Sequence, residues 1–119
     1  MGPLVMIVED DDGLRFIYRR VLEQTDVELM EAEDGATAID KLATTIPDII
    51  ILDVLLPHVN GLEVLQYIAT QPRLSEVNIV VVSANPRFEN QAKEIFPVTF
   101  VTKPIRPAQI RGITRGTFV

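Results

Sequence analysis

Four acids stand in a row in VEDDDG, Val8 to Gly13, directly behind the apolar run LVMIV. Further along, three more polar residues follow apolar runs: Asp53 after DIIIL, Ser83 after NIVVV, and Lys103 shortly after TFV. Neighbouring carboxylates repel, and a carboxylate close to a low-dielectric core is costly unless something compensates it. If Glu9, Asp10 and Asp53 converge, they cannot all stay ionised without a cation. A hard divalent ion with oxygen ligands, most simply Mg²⁺, meets that need and keeps coordination positions open for water and phosphate oxygens. A lysine supplies a point charge for a phosphoryl oxygen, and a serine hydroxyl can hydrogen-bond another. One carboxylate then remains as a nucleophile, since aspartate forms acyl phosphates. The set suits a Mg²⁺-assisted phosphoryl site. It also suits acids that merely cap helices beside a lysine in a surface ion pair.

Which reading holds depends on the elements that carry these residues. The runs at 4–8, 48–52, 78–82 and 99–101 are rich in β-branched residues and apolar on both faces, as parallel strands covered by helices are. VELMEA at 27–32 alternates only partly and reads as an edge strand. Between the runs lie helical patterns. Leu14, Ile17, Tyr18, Val21 and Leu22 recur at helical spacing, as do Ile39, Leu42 and Ala43. Leu62, Leu65, Ile68 and Ala69 make a third face, and Phe88, Ala92, Ile95 and Phe96 a fourth. Asn60 precedes Glu63 by three residues, a capping-box arrangement, and Asn85-Pro86 reads as an N-cap followed by proline at the first helical position. Asp12, just before Gly13 and Leu14, is the expected N-cap of the first helix, with Asp11 an exposed spacer. The last segment, IRPAQIRGITRGTFV, is weaker. Pro107 suits a first turn and Ile110 and Ile113 can face the core, but Gly112 and Gly116 each cost roughly 1 kcal/mol against alanine. A short final helix is expected.

Strands alternating with helices imply right-handed crossovers and an open parallel sheet with helices on both faces. In such sheets ligands bind beyond the carboxyl ends of the strands. Glu9, Asp10, Asp53, Ser83 and Lys103 all fall there.

Composition narrows the setting. At 119 residues the chain is one domain, large enough for a core without staples. It is 47% apolar and 24% charged, as a folded globular domain is, with a net charge of -6. That sign opposes sequence-independent nucleic-acid binding and docking on anionic lipid. No cysteine is present, which excludes disulfides and thiol catalysis and suits a reducing cytosol. No apolar run approaches the ~20 residues of a membrane span, and the N-terminus lacks a signal-peptide layout.

Together, VED at 8–10, LDVLLPHVNG at 52–61, VVSAN at 81–85 and VTKP at 101–104 resemble the CheY-like receiver domain of bacterial response regulators in two-component signalling. The resemblance runs over about residues 4–111, with four motifs in order, each at a strand end. It implies a doubly wound, flavodoxin-like α/β fold with five strands in the order 2-1-3-4-5. It implies one receiver domain over 1–119, standing alone or forming the N-terminal part of a longer regulator.

By this resemblance Asp53 is the phosphoacceptor, taking a phosphoryl group from a sensor histidine kinase, a phosphotransfer protein or a small donor such as acetyl phosphate. Asp10 and Asp53 would hold Mg²⁺ directly with the backbone carbonyl of Leu55, and Glu9 would act mainly through a metal-bound water. Lys103 would pair with Asp53 at rest and with phosphoryl oxygens afterwards, and the Lys103-Pro104 peptide is usually cis in the family. Ser83 matches the Ser or Thr that turns toward the phosphoryl group, and Phe100 the aromatic switch, although ordinary core packing also explains a phenylalanine there. The implied output is a population shift that remodels the face of the fourth helix, fifth strand and last helix for a partner or effector. Pro57 and Gly61 shape the loop after the acceptor and are structural. His58 has no second histidine with which to form a metal site. Arg106, Arg111 and Arg115 could dock an acidic partner or simply be solvated. The resemblance implies a cytoplasmic monomer or phosphorylation-dependent dimer, with no direct nucleic-acid contact, that catalyses only its own phosphorylation and dephosphorylation.

Two departures from the family pattern carry expectations. Leu55 is apolar where some members have a polar residue that assists the hydrolytic water. Leu55→Asn should therefore lose phosphate faster than wild type; phosphate release that is no faster in the variant would reject this. EIFPVTF replaces the glycine-containing turn usual before the fifth strand, which makes the output face the least transferable part.

Two other readings remain. A Mg²⁺-dependent phosphatase acting through an aspartyl phosphate would need the D-x-D pair of haloacid-dehalogenase enzymes, and here the acceptor reads Asp53-Val54-Leu55. A non-phosphorylated interaction domain would have no need of all five site residues.

Overall fold

β-Branched runs with no polar face are stable only when both faces of their sheet are covered. The computed structural model, which describes residues 2–114, meets that condition with five strands and five helices in alternation. The order is β1 (Leu4–Val8), α1 (Asp12–Leu22), β2 (Glu28–Ala32), α2 (Gly35–Leu42), β3 (Ile49–Asp53), α3 (Gly61–Ala69), β4 (Asn78–Ser83), α4 (Phe88–Ile95), β5 (Thr99–Thr102) and α5 (Pro107–Ile113). A 3₁₀ turn at Pro72–Leu74, not anticipated from the sequence, buries Leu74 between α3 and β4. The sheet is parallel throughout, in the expected order β2-β1-β3-β4-β5.

Side chains alternate across each strand, so two cores form. Val5, Ile7, Ile49, Ile51, Val80, Val82 and Val101 pack with Tyr18 and Leu22 of α1 and Ile110 and Ile113 of α5. Met6, Val8, Ile50, Leu52, Ile79 and Val81 pack on the other face with Ala38 and Leu42, Val64, Leu65 and Ile68, and Ala92 from α2, α3 and α4. The final helix is short, as expected, with Ile110 and Ile113 buried.

Several local expectations are corrected. The cap of α1 is Asp11, whose side chain accepts from Leu14 N–H at 2.9 Å. Asp12 is the first helical residue and pairs with Arg15. An N-cap side chain reaches the amide three residues on, and with the helix opening at Asp12 only Asp11 is so placed. Asn85 does not cap α4. It closes a turn by accepting from Arg87 N–H at 3.0 Å, and the helix begins only at Phe88. Ile17 is 46% exposed at the margin of the α1 stripe, and Ala43 and Ala69 are exposed past the last buried turns of α2 and α3. Leu42, Leu65 and Ile68 are buried as expected, and Ala38 and Val64 are buried with them. The capping box at α3 stands as expected, with Asn60 and Glu63 exchanging bonds of 3.0 and 3.2 Å.

Candidate functional site

Asp53 is the last residue of β3, and Glu9 directly follows β1. The pleat that puts Val5 and Ile7 on the α1–α5 face continues to Glu9, and the one through Ile49 and Ile51 continues to Asp53. Lys103 stands two residues beyond Val101 on the same face. Folding thus brings residues 94 and 50 positions apart into contact. Lys103 Nζ donates to Asp53 Oδ2 at 3.2 Å and to Glu9 Oε1 at 3.3 Å. Glu9 and Asp53 are 1% and 5% exposed, whereas Asp10 is open to solvent. Carboxylate oxygens of all three acids lie within 4.8 Å of one another.

The surroundings hold this cluster in place. Glu9 Oε2 accepts from Asp11 N–H at 3.1 Å, and Glu9 N–H donates to Ala32 of β2 at 3.1 Å. Arg15 Nη1 donates to the Glu9 carbonyl at 2.7 Å while its Nε bonds Glu31, tying α1 and β2 to the loop that carries the acids. The role of Arg15 was not legible in the sequence, because a backbone carbonyl leaves no motif. Gly61 N–H donates to the Val54 carbonyl at 2.8 Å, packing the start of α3 against the acceptor strand end. The Lys103-Pro104 peptide is cis, as the resemblance implies.

Burial is the main force on the charges. It pushes the Glu9 carboxyl up to about 7, with the neighbouring Asp53 adding to the rise. Burial also raises Asp53, against the lowering pull of Lys103. Burial alone would lower Lys103, but Asp53 and Glu9 outweigh it and leave the ammonium raised. Three acids against one lysine leave excess negative charge. The donor set is all hard oxygen with one side open, which fits Mg²⁺. Glu9, Asp10 and Asp53 would hold the ion.

A pH dependence follows. A carboxyl that binds its proton more tightly folded than unfolded stabilises the fold below its ordinary value, and that contribution is lost as pH rises through the folded value. In metal-free buffer, the Glu9 contribution should fall away between about 4.5 and about 7. Thermal melts across that window should fall less steeply for Glu9→Gln than for wild type. Parallel curves would reject the assignment.

The remaining expected residues sit around this centre. Ser83 ends β4, fully buried, and its Oγ accepts from Asn85 N–H at 3.1 Å. Its carbonyl accepts from Lys103 N–H at 2.8 Å, joining β4 to the lysine loop. Phe100 is half-buried and packs on the opposite face, with the α2–α3–α4 core. In register it lies beside Val81, two residues before Ser83. Leu55 is 60% exposed beside the acids, and Pro57 is exposed. His58 adopts a left-handed backbone with φ of 63°, and no metal cluster among the described residues includes it. Arg106 is exposed and Arg111 half-buried; Arg115 lies outside the described residues.

Comparison with known proteins identifies the family and the fold. The profile described as "Response regulator receiver domain" matches residues 5–115. The chain is 28% identical over 121 residues to the phosphate regulon transcriptional regulatory protein PhoB of Escherichia coli K12, covering 97% of this chain and 53% of PhoB. It thus spans about half the length of that relative. Among solved structures, the chemotaxis response regulator CheY4 of Vibrio cholerae superposes with a TM-score of 0.87 at 23% identity, covering 98% of this chain and 99% of CheY4. The phosphorylated cyanobacterial phytochrome response regulator RcpA superposes with a TM-score of 0.83 at 25% identity, covering 98% and 91%. Fold and profile converge: the chain belongs to the response regulator receiver domain family of two-component signalling.

Proposed function

We propose that this receiver is a phosphoacceptor switch in which Asp53 takes up a phosphoryl group in a Mg²⁺-dependent reaction. The observation that carries the reading is the Asp53 carboxylate at the end of β3, 3.2 Å from the Lys103 ammonium and clustered with Glu9 and Asp10. An Asp53 oxygen attacks phosphorus, the bond to the donor breaks, and a mixed anhydride forms on the aspartate. With a phosphohistidine donor the P–N bond breaks and the imidazole leaves; with acetyl phosphate, acetate leaves. Bound Mg²⁺ supplies charge neutralisation for the entering phosphoryl oxygens. Glu9, Asp10, Asp53 and the Leu55 carbonyl are its proposed holders. Lys103 neutralises Asp53 before transfer and follows the new phosphoryl oxygens after it.

The switch then runs through Ser83 and Phe100. The phosphoryl group adds about -1.5 to -2 charges. Ser83 exchanges its bond from Asn85 for one to that group, and Phe100 turns into the space released. The face of α4, β5 and α5 changes shape for an output partner or effector, in a monomer or a phosphorylation-dependent dimer. The natural donor is a sensor histidine kinase or a phosphotransfer protein. The proposed setting is the cytoplasm, and no helix among the described residues is long and apolar enough to cross a membrane. Incubation with acetyl phosphate and Mg²⁺, read by intact mass, tests the proposal. Wild type should gain one phosphoryl group and lose the gain when EDTA replaces Mg²⁺; no gain with Mg²⁺ would reject the proposal.

A further inference from the structure

Asp10 is the one exposed acid of the cluster it forms with the buried Glu9 and Asp53. The hydrogen bonds that shape this stretch fall on its neighbours, and Arg15 makes two of them. Arg15 Nη1 donates to the Glu9 carbonyl at 2.7 Å, and the Arg15 backbone N–H donates to the Asp11 carbonyl at 2.9 Å. One residue thus grips the main chain on both sides of Asp10. Each peptide is a rigid plane, so fixing the Glu9 carbonyl fixes the bond that enters Asp10.

The guanidinium is itself held. Nε donates to Glu31 Oε1 at 3.1 Å and Nη2 donates to Asp12, leaving the side chain 15% exposed. Three nitrogens of one rigid fork meet acceptors on β2, α1 and the acid loop, which the single nitrogen of a lysine cannot do. The carboxylates of Glu31 and Asp12 also balance the Arg15 charge. An added positive charge would by itself oppose a cation beside the acids. The contribution of Arg15 to the cluster is therefore geometry. Arg19 supplies a contrast from the next turn of α1. Among the described residues its side chain donates to both oxygens of Glu31, each at 2.8 Å, and not to the acid loop.

We propose that Arg15 is a positioning residue of the acid site, fixing the main chain around Asp10 so that its carboxylate meets the same Mg²⁺ as Glu9 and Asp53. The inference rests on the reading of these three acids as a Mg²⁺ site. Mg²⁺ tolerates little departure from octahedral geometry, so an exposed ligand on an unpinned loop binds it poorly.

The test titrates the ¹⁵N-labelled full chain with MgCl₂ and no phosphodonor. Amide shifts give the affinity, and the same spectra report the fold. Arg15→Lys keeps the charge and loses the fork; Arg15→Met keeps the stem and loses both. Each should bind Mg²⁺ about tenfold more weakly than wild type, the scale of losing a group that orients metal ligands. Arg19→Lys loosens the same Glu31 and should leave the affinity at the wild-type value. The Mg²⁺ concentration that half-saturates phosphorylation by acetyl phosphate should rise in both Arg15 variants by the factor seen in the titration. Charge alone predicts the opposite sign for Arg15→Met, so tighter or unchanged binding in that variant overturns the inference. Wild-type affinity in Arg15→Lys overturns it too, as does an equal loss in Arg19→Lys. Wild type whose amides around Glu9, Asp10 and Asp53 do not respond to Mg²⁺ overturns the metal reading instead.

Discussion

Asp53→Asn should take up no phosphoryl group under conditions in which wild type gains one. The substitution is nearly isosteric, and the amide oxygen can still accept from Lys103 at the position now held by Oδ2, 3.2 Å away. What disappears is the anionic nucleophile and one of three carboxylates that would hold Mg²⁺. The variant should not be less stable. Asp53 is 5% exposed and burial raises its carboxyl, so a neutral amide removes charge that the fold holds at a cost. A melting temperature at or above that of wild type, together with no mass gain, separates lost chemistry from lost structure. A gain equal to that of wild type would place the acceptor elsewhere and remove the central claim.

The second large effect is structural and meets the same residue from behind. Gly61→Ala should destabilise the domain by about 3 kcal/mol, since forcing extra atoms into packed structure typically costs 1–3 kcal/mol and occasionally more. A β-carbon there would stand 2.2 Å from the Asp53 carbonyl oxygen and 2.8 Å from the Val54 α-carbon. These are backbone atoms, so no side-chain rotation relieves the clash. Either α3 retreats or the end of β3 moves, and Asp53 moves with it. Chemical denaturation should show the loss of stability, and phosphorylation by acetyl phosphate should slow even where the variant is folded. Gly13→Ala is the control: its new β-carbon meets only the Asp11 carboxylate oxygen, at 3.2 Å. In a helix that change is favourable by roughly 1 kcal/mol on propensity. Equal destabilisation by both variants would reject close packing as the reason for Gly61.

The two results mark where sequence reasoning held and where it stopped. The alternation of strands and helices was legible because each core-facing segment must show a period of its own, and the charged residues ended those segments one after another. The capping box at Asn60 was legible because both of its partners lie within one turn. Caps elsewhere were misjudged by a residue or two. Asp11 and Asp12 are equally good capping residues, and only the backbone path into α1 selects between them. Asn85 is a good cap as well, but it closes a turn by bonding Arg87.

By itself, then, the sequence determined the sheet, its covering helices and the set of polar residues at its carboxyl edge, because periodicity and chain order are local properties. Tertiary structure decided what those residues meet. Lys103 reaches both Glu9 and Asp53, and Arg15 holds the Glu9 carbonyl. These relations join positions far apart in the chain, and the distances and burial that set charge, metal fit and packing exist only once the two cores have closed around the sheet.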